Sequence, residues 1–119
     1  MEKLNLLKTY LSLYIDHFKV LNSIKQSNSQ YVILDIRNAP KQVKREQIKG
    51  AVSLPVKDLP THLNELDKSK TYVVYDWNGG SILGKKALLI LLEAGFTAYE
   101  LAGDLEGWQG IKLPMEPIV

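Results

Sequence analysis

Apolar residues recur along the first 21 residues in alternating steps of three and four, at Leu4, Leu7, Leu11, Tyr14, Phe18 and Leu21. This spacing predicts an amphipathic helical segment. Asp16 can cap a new helix after the crowded residues 13–15, so we predict a break there and a second helix over residues 17–24. The apolar stripe has to be covered, either by its own domain or by the same stripe of a second copy.

The rest of the chain alternates short apolar runs with segments of helical spacing. Runs at residues 31–36, 51–54, 72–75 and 98–101 predict strands. Leucines at helical spacing predict a helix over residues 58–66, and a longer helix ends at Gly95. Residues 103–108 form a turn or short helix. Strands that alternate with helices predict a small α/β domain with a mostly parallel sheet flanked by helices.

The strand at residues 72–75 is apolar on both faces, which is typical of a central strand covered by helices. A glycine-containing loop follows it and opens into the longer helix. Ligands bind at the carboxyl ends of such strands, where N–H groups of a helix N-terminus can converge on an anion. We therefore expect a possible anion-binding site in a loop of nine residues, named here the site loop: Asp76, Trp77, Asn78, Gly79, Gly80, Ser81, Ile82, Leu83 and Gly84.

Composition narrows the chemistry that this loop can perform. The 119 residues are 45% hydrophobic, which suits one domain with a core of its own. They include no cysteine, so thiolate nucleophiles, disulfides and thiolate metal sites are excluded. The two histidines, His17 and His62, are far apart in sequence, and we expect no metal site and no cofactor.

Charge and hydropathy exclude further classes of function. A net charge of +2 with mixed signs argues against a nucleic-acid-binding protein, and we interpret the basic run at residues 41–49 as a solvated face. No apolar stretch reaches the ~20 residues of a membrane span, and the N-terminus has no signal-peptide pattern. We predict a cytoplasmic protein that binds no membrane.

Four short motifs follow one another between residues 31 and 114. They are Asp35-Ile36-Arg37; Glu46-Gln47-Ile48-Lys49-Gly50-Ala51 with Leu54-Pro55; Val73-Val74-Tyr75; and Leu101-Ala102-Gly103-Asp104 with Trp108 and Leu113-Pro114. In this order they resemble the landmarks of the rhodanese-like domain, a sulfurtransferase fold. The resemblance implies a single domain over residues 1–119, with a small rhodanese-like α/β core at residues 15–119 and an extra N-terminal helical segment at residues 1–14.

The site loop departs from the family pattern. In active members the loop reads C-x-x-G-x-R/K-S, and its cysteine carries a persulfide within a ring of backbone N–H groups. Asp76 stands in the place of the cysteine if the loop is two residues longer than usual, whereas an ungapped alignment places Asn78 there. Neither side chain can form a persulfide. The resemblance therefore implies a sulfurtransferase homologue with no catalytic residue, which acts as a binding or regulatory module rather than as an enzyme.

Two interpretations of Asp76 remain open. Its carboxylate can be a fixed anion that fills the site itself, held by the N–H groups of residues 79–82. It can also be an ordinary helix cap or loop carboxylate without a ligand role. Trp77 is either a lid over an apolar ligand or a packed loop residue. Asp35 and Arg37 are interpreted as structural residues beneath the loop.

Other functions compete for the same loop. The stretch from Gly79 to Lys85 matches the phosphate-binding pattern G-x-x-x-x-G-K, although Lys86 stands where that motif needs Ser or Thr. A residual anion-binding activity related to sulfur transfer is a further alternative. An aspartyl nucleophile for phosphoryl transfer lacks its second carboxylate, because Asn78 stands two positions on. Expected partners are an unknown protein or a second copy bound through the N-terminal helix.

Overall fold

A five-stranded parallel sheet forms the centre of the computed structural model, which describes residues 1–118. The strands are β1 (Tyr14–Ile15), β2 (Tyr31–Asp35), β3 (Glu46–Ile48), β4 (Val52–Ser53), β5 (Thr71–Tyr75), β6 (Thr97–Leu101) and β7 (Met115–Pro117). The helices are α1 (Glu2–Ser12), α2 (His17–Ile24), α3 (Lys41–Lys44), α4 (Leu59–His62), α5 (Leu83–Glu93) and α6 (Asp104–Gly110), and a 3-10 turn (Leu63–Glu65) follows α4. The predicted α/β class with a mostly parallel sheet is confirmed.

The order of strands in the large sheet is β1-β6-β5-β2-β4, and β3 pairs with β7 in a separate antiparallel ribbon. β5 is central, with Asp35 of β2 beside Tyr75 and Glu100 of β6 beside Val74. Because these strands are parallel, their carboxyl ends meet at one edge of the sheet. That edge holds the site loop.

The two faces of β5 lie in two different cores. Tyr72 and Val74 pack with residues of α4 and α5, while Val73 and Tyr75 pack with residues of α2 and α6. All four side chains are buried, which explains why the sequence of β5 is apolar without alternation. Each such side chain contributes roughly 1.5 to 3 kcal/mol by leaving water, so the strand that carries the site loop is firmly anchored.

The predicted break at Asp16 is confirmed. Its carboxylate accepts the N–H of Phe18 at 3.0 Å and caps α2. The break also holds an element that the pattern did not predict, since Tyr14 and Ile15 form β1 beside Glu100 and Leu101 of β6. A two-residue strand is too short to leave a periodic signal.

Helix α1 lies outside both cores. None of its residues is buried, and Leu4, Leu7 and Leu11 are 48%, 56% and 62% exposed. Of the two alternatives for covering the apolar stripe, cover by its own domain is wrong for α1. α1 precedes β1, the edge strand of the large sheet, and none of its residues belongs to either core.

The basic run at residues 41–49 is only partly solvated, so its interpretation as a solvated face needs correction. Lys44 is buried and its Nζ donates to Ser53 Oγ at 3.0 Å, and Ile48 is fully buried in the core that contains Val73 and Tyr75. Within residues 1–118, no helix has both the length and the apolar character needed to cross a bilayer. The same residues place no three His, Asp or Glu side chains together in a group that could hold a metal ion.

Candidate functional site

Asp76 follows β5 directly and its side chain is completely buried. Oδ1 accepts the N–H of Trp77 at 2.7 Å, and Oδ2 accepts the N–H of Gly84, in the first turn of α5, at 2.8 Å. Each oxygen therefore accepts a backbone N–H, and one of these belongs to a helix N-terminus, the end of a helix that favours negative charge.

The donors to Asp76 differ from those expected at residues 79–82. Those residues form the outer part of the site loop, where Gly79, Gly80 and Ile82 are exposed. Asn78 organises this part, since its Oδ1 accepts the N–H of Gly80 at 2.8 Å in a local turn. Asn78 therefore bonds within the outer part of the loop, whereas the Asp76 side chain is buried at the carboxyl end of β5.

Gly84 allows α5 to begin close to the sheet. A Cβ at this position would lie 3.0 Å from Glu100 Oε2 and 3.4 Å from the Cβ of Asp76. Only glycine lets the Gly84 N–H reach the Asp76 carboxylate without displacing Glu100. The glycine is explained by close packing against two acidic side chains.

Two further carboxyl groups lie beneath the loop. Glu100 Oε2 accepts Lys85 Nζ at 3.1 Å, and Asp104 Oδ1 accepts the N–H of Asp76 at 2.9 Å. Their other oxygens, Glu100 Oε1 and Asp104 Oδ2, are buried without a hydrogen-bond partner among residues 1–118. Burial, and then the neighbouring Glu100 carboxylate, raise the pKa of Asp104 to about 8, so Asp104 is protonated at neutral pH.

Asp104 also joins α6 to the site loop. It has a left-handed backbone with φ 52°, a conformation that aspartate tolerates better than most residues. The next two N–H groups, of Leu105 and Glu106, donate to the carbonyl oxygens of Asp76 and Trp77, each at 3.0 Å. The N-terminus of α6 thus binds the backbone of the loop, as α5 binds the Asp76 side chain.

Sequence reasoning missed Glu100 and Asp104. A signal was present for each, because Glu100 interrupts an apolar run in β6 and Asp104 follows a glycine with φ 78° at the turn into α6. An acidic residue within a strand that is otherwise buried points either to a functional site or to an internal ion pair.

Asp35 and Arg37 form a bidentate ion pair under the loop. Nε of Arg37 is 2.8 Å from Asp35 Oδ1, Nη2 is 2.6 Å from Oδ2, and both residues are fully buried. The hydroxyl of Tyr75 donates to Asp35 Oδ2 at 2.8 Å, and burial raises the pKa of Tyr75. Arg37 Nη2 also donates to the carbonyl of Glu46 at 2.9 Å. These contacts join β2, β3 and β5, in agreement with the structural role predicted for the pair.

Trp77 lies over this ion pair. Its ring centroid is 4.4 Å from the guanidinium carbon of Arg37, and the side chain remains 37% exposed. Of the two alternatives for Trp77, the geometry favours a packed residue: the ring covers a charged side chain of its own domain.

The stretch from Gly79 to Lys85 uses its phosphate-binding groups internally. The N–H of Gly84 is bonded to Asp76, and Lys85 Nζ donates to Gly79 O at 2.9 Å as well as to Glu100. A phosphate at this place would have to displace the Asp76 carboxylate and separate Lys85 from Glu100. The geometry therefore gives no support to nucleotide binding.

Comparison with known proteins agrees with the motifs. The family model described as rhodanese-like domain matches residues 19–111. A protein named tRNA sulfurtransferase from Serratia proteamaculans is 35% identical over 81 residues, which make up 65% of this chain and 16% of that protein. The chain thus corresponds to a small part of this relative.

Solved structures resemble the chain over more of its length. A full-length protein from Lactobacillus plantarum is 62% identical, with a TM-score of 0.95 and 98% of each chain covered. The rhodanese-like domain of a protein from Anabaena sp. is 29% identical, with a TM-score of 0.73, 89% of this chain and 80% of that one covered. The first similarity extends over nearly all of the chain, including residues ahead of the matched family model.

Proposed function

The chain belongs to the family of rhodanese-like domains, and on that premise we propose that it is a catalytically inactive homologue of sulfurtransferases that binds or regulates another molecule. Sulfur transfer in the family needs a thiolate, a soft nucleophile whose charge a helix N-terminus stabilises. This chain contains no cysteine. A carboxylate keeps the negative charge of a thiolate but cannot carry sulfur.

The observation that carries the proposal is the position of Asp76. Its two oxygens accept the N–H groups of Trp77 and Gly84, which supports the proposal that the domain's own carboxylate takes the place of a bound anionic group. We call this arrangement a self-filled anion site. Removing the carboxylate would leave the buried Gly84 N–H and the partly buried Trp77 N–H without their acceptor, at roughly 1 to 3 kcal/mol for a fully buried group. An external anion would have to displace the carboxylate from these same donors, so each new bond would replace an existing one.

The experiment that tests the proposal compares the unmodified protein with Asp76→Cys. The backbone amide resonances of Trp77 and Gly84 are followed while thiosulfate, phosphate or magnesium nucleotide is added. The unmodified protein is expected to show no saturable shift, whereas thiosulfate shifts both amides of Asp76→Cys. The matched control is Asp67→Cys, which places the same thiol at an exposed site whose carboxylate bonds to Ser69.

A sulfur-transfer assay from thiosulfate to cyanide accompanies the titration. No turnover is expected from the unmodified protein. Turnover by that protein would overturn the inactive assignment, and saturable shifts of Trp77 and Gly84 in it would replace the self-filled site with a working anion site. The cytoplasmic location and the absence of nucleic-acid and membrane binding stay predictions from the sequence.

A further inference from the structure

Helix α1 presents one broad apolar face to solvent. We define the α1 face by five residues: Leu4, Leu6, Leu7, Tyr10 and Leu11. Their exposed fractions run from 48% for Leu4 to 70% for Leu6, and none of the residues of α1 is buried. Together these side chains expose on the order of 600 Å², which is the upper end of the largest apolar patch on typical monomers.

The same area is close to what an interface requires. A standard protein interface buries about 800 Å² on each partner. Met1, which is 90% exposed, lies at the end of the same helix and adds to the available area. The α1 face is therefore large enough to account for most of one side of a stable contact.

The helix itself needs such a contact. It has 11 residues, its N-cap residue Met1 makes no side-chain capping bond, and it buries nothing on its own domain. Isolated helices shorter than ~12 to 15 residues are marginal in water, because helices in proteins are stabilised mainly by packing of an apolar face. A partner on the α1 face would supply that packing.

The sequence of the face suits a second copy of itself. Leu4, Leu7 and Leu11 have the spacing of a two-helix seam, and a two-fold axis brings identical patches together. Lys3 lies on the same face, where it lines a groove with Leu6, Leu7 and Tyr10. Parallel helices would bring the two Lys3 ammonium groups together. Antiparallel helices crossing at Leu7 would instead separate the two Lys3 groups and place each opposite Leu11 of the other copy, one residue from Tyr10, whose ring a lysine can reach for a cation–π contact.

We propose that a second copy of this chain covers the α1 face, with the two α1 helices antiparallel about a two-fold axis near Leu7. This pairing does not depend on the site loop being inactive. It does place the partner beside the loop, because the rings of Tyr10 and Tyr14 lie 5.1 Å apart and Lys85 Nζ is 5.7 Å from the centroid of the Tyr14 ring. Lys85 in turn binds Glu100 under the loop.

Analytical ultracentrifugation of the full chain tests the assembly. The unmodified protein is expected to sediment with twice the chain mass of 13.4 kDa at micromolar concentration. Leu7→Glu brings two carboxylates together at the two-fold axis and is expected to weaken association at least 100-fold. The matched control is Leu89→Glu, at a helical leucine that is 57% exposed compared with 56% for Leu7. It should leave the dimer unchanged.

The lack of native cysteines allows the geometry to be tested by crosslinking. Leu7→Cys is expected to form a disulfide-linked dimer on mild oxidation, because residues at the axis meet within disulfide range. Lys3→Cys is not expected to form this disulfide, since antiparallel pairing separates the two Lys3 positions by about 12 Å along the helix axis. Crosslinking of Lys3→Cys in preference to Leu7→Cys would overturn the antiparallel arrangement.

Three results would overturn the proposal as a whole. One is a monomer at concentrations of about 100 μM, far above those at which interfaces of standard size form. Another is a Leu7→Glu variant that stays dimeric, when circular dichroism shows that Leu7→Glu and Leu89→Glu are both folded. The third is a monomer that binds phosphatidylglycerol vesicles through Leu7, which would assign the α1 face to a lipid surface.

Discussion

The site loop and helix α1 differ in whether their side chains find partners within the domain. In the loop, the Asp76 carboxylate, the Gly84 N–H and the Lys85 ammonium are all bonded to groups of the same domain. In α1, every residue is exposed and the apolar stripe touches no core. The candidate site at the end of β5 has its polar groups paired within the chain, whereas α1, which lies outside the matched family model, is exposed.

This difference bears on where the protein can recognise something. A loop whose polar groups are internally paired gains little from a ligand, because each new bond replaces an existing one. An exposed apolar face gains free energy from any partner that removes it from water. Under the functions proposed above, recognition lies on α1, while the loop holds the ends of β2, β5 and β6 together.

The largest expected loss in the free energy of unfolding comes from breaking the ion pair beneath the loop. Asp35→Asn leaves the buried Arg37 guanidinium without its carboxylate, and loss of one partner of a buried pair costs roughly 3 to 5 kcal/mol. Urea unfolding measures the free energy of unfolding, with Asp67→Asn at an exposed site as control. A loss below about 1 kcal/mol would show that Arg37 is compensated by other groups.

Removal of the Asp76 carboxylate should come next in size. Asp76→Ala leaves the Trp77 and Gly84 N–H groups without an acceptor and is expected to cost about 3 kcal/mol in the free energy of unfolding. Asn78→Ala, in the outer part of the loop, should cost under about 1 kcal/mol because its partners reach water. Equal losses for the two variants would contradict the special position of Asp76.

The protonated Asp104 predicts an unusual pH dependence. Its pKa is about 8 in the folded protein against the ordinary value of 3.8, so the folded state binds the extra proton between these values. The stabilisation is fully present below pH 3.8 and is lost as pH rises towards 8. From pH 5 to pH 7 this one proton should lower the free energy of unfolding by about 2 to 3 kcal/mol.

Asp104→Asn isolates that contribution. The amide keeps an acceptor for the Asp76 N–H and tolerates the left-handed backbone, but it cannot ionise. The variant should therefore lack the fall in stability between pH 5 and pH 7 that Asp104 causes in the unmodified protein. Identical pH profiles for the two proteins would show that Asp104 is already ionised in the fold.

The smallest expected effect belongs to α1. In the monomer, Leu7→Glu should change the free energy of unfolding by less than about 0.5 kcal/mol, because Leu7 touches no core. The unmodified protein should gain stability as its concentration rises through the dimer range, and the variant should not. Thermal melts over a series of concentrations measure the effect of Leu7→Glu on stability and the dependence of stability on concentration. A large loss in the dilute variant would mean that α1 packs on its own domain.

Local sequence patterns were enough to predict most of the helices and strands. The apolar run of β5, the helical spacing of α5 and the Asp16 cap are signals within a few residues, and each was predicted correctly. β1 was missed because Tyr14 and Ile15 form a strand only through pairing with β6. The cover of α1 stayed open between its own domain and a second copy, since an apolar stripe does not show which surface will lie against it.

The position of the candidate site could be predicted from the sequence, but its hydrogen bonds could not. The place of Asp76 at the end of a central strand followed from pattern and motif. Its donors, Trp77 and Gly84, depend on where α5 begins relative to β5, which the residues alone do not fix. The raised pKa of Asp104 depends on its burial beside Glu100, which only the folded chain brings about.

The sequence by itself determined an α/β domain without a thiolate, because strand and helix periods and the absence of cysteine are properties of the chain, and its four ordered motifs resemble the rhodanese-like family that the family model then showed. The tertiary structure decided that Asp76 lies inside the loop rather than in solvent, and that α1 remains uncovered. Both outcomes depend on distances between elements that only the folded sheet brings together. Residue type sets which bonds a side chain can make, and packing selects the bonds that form.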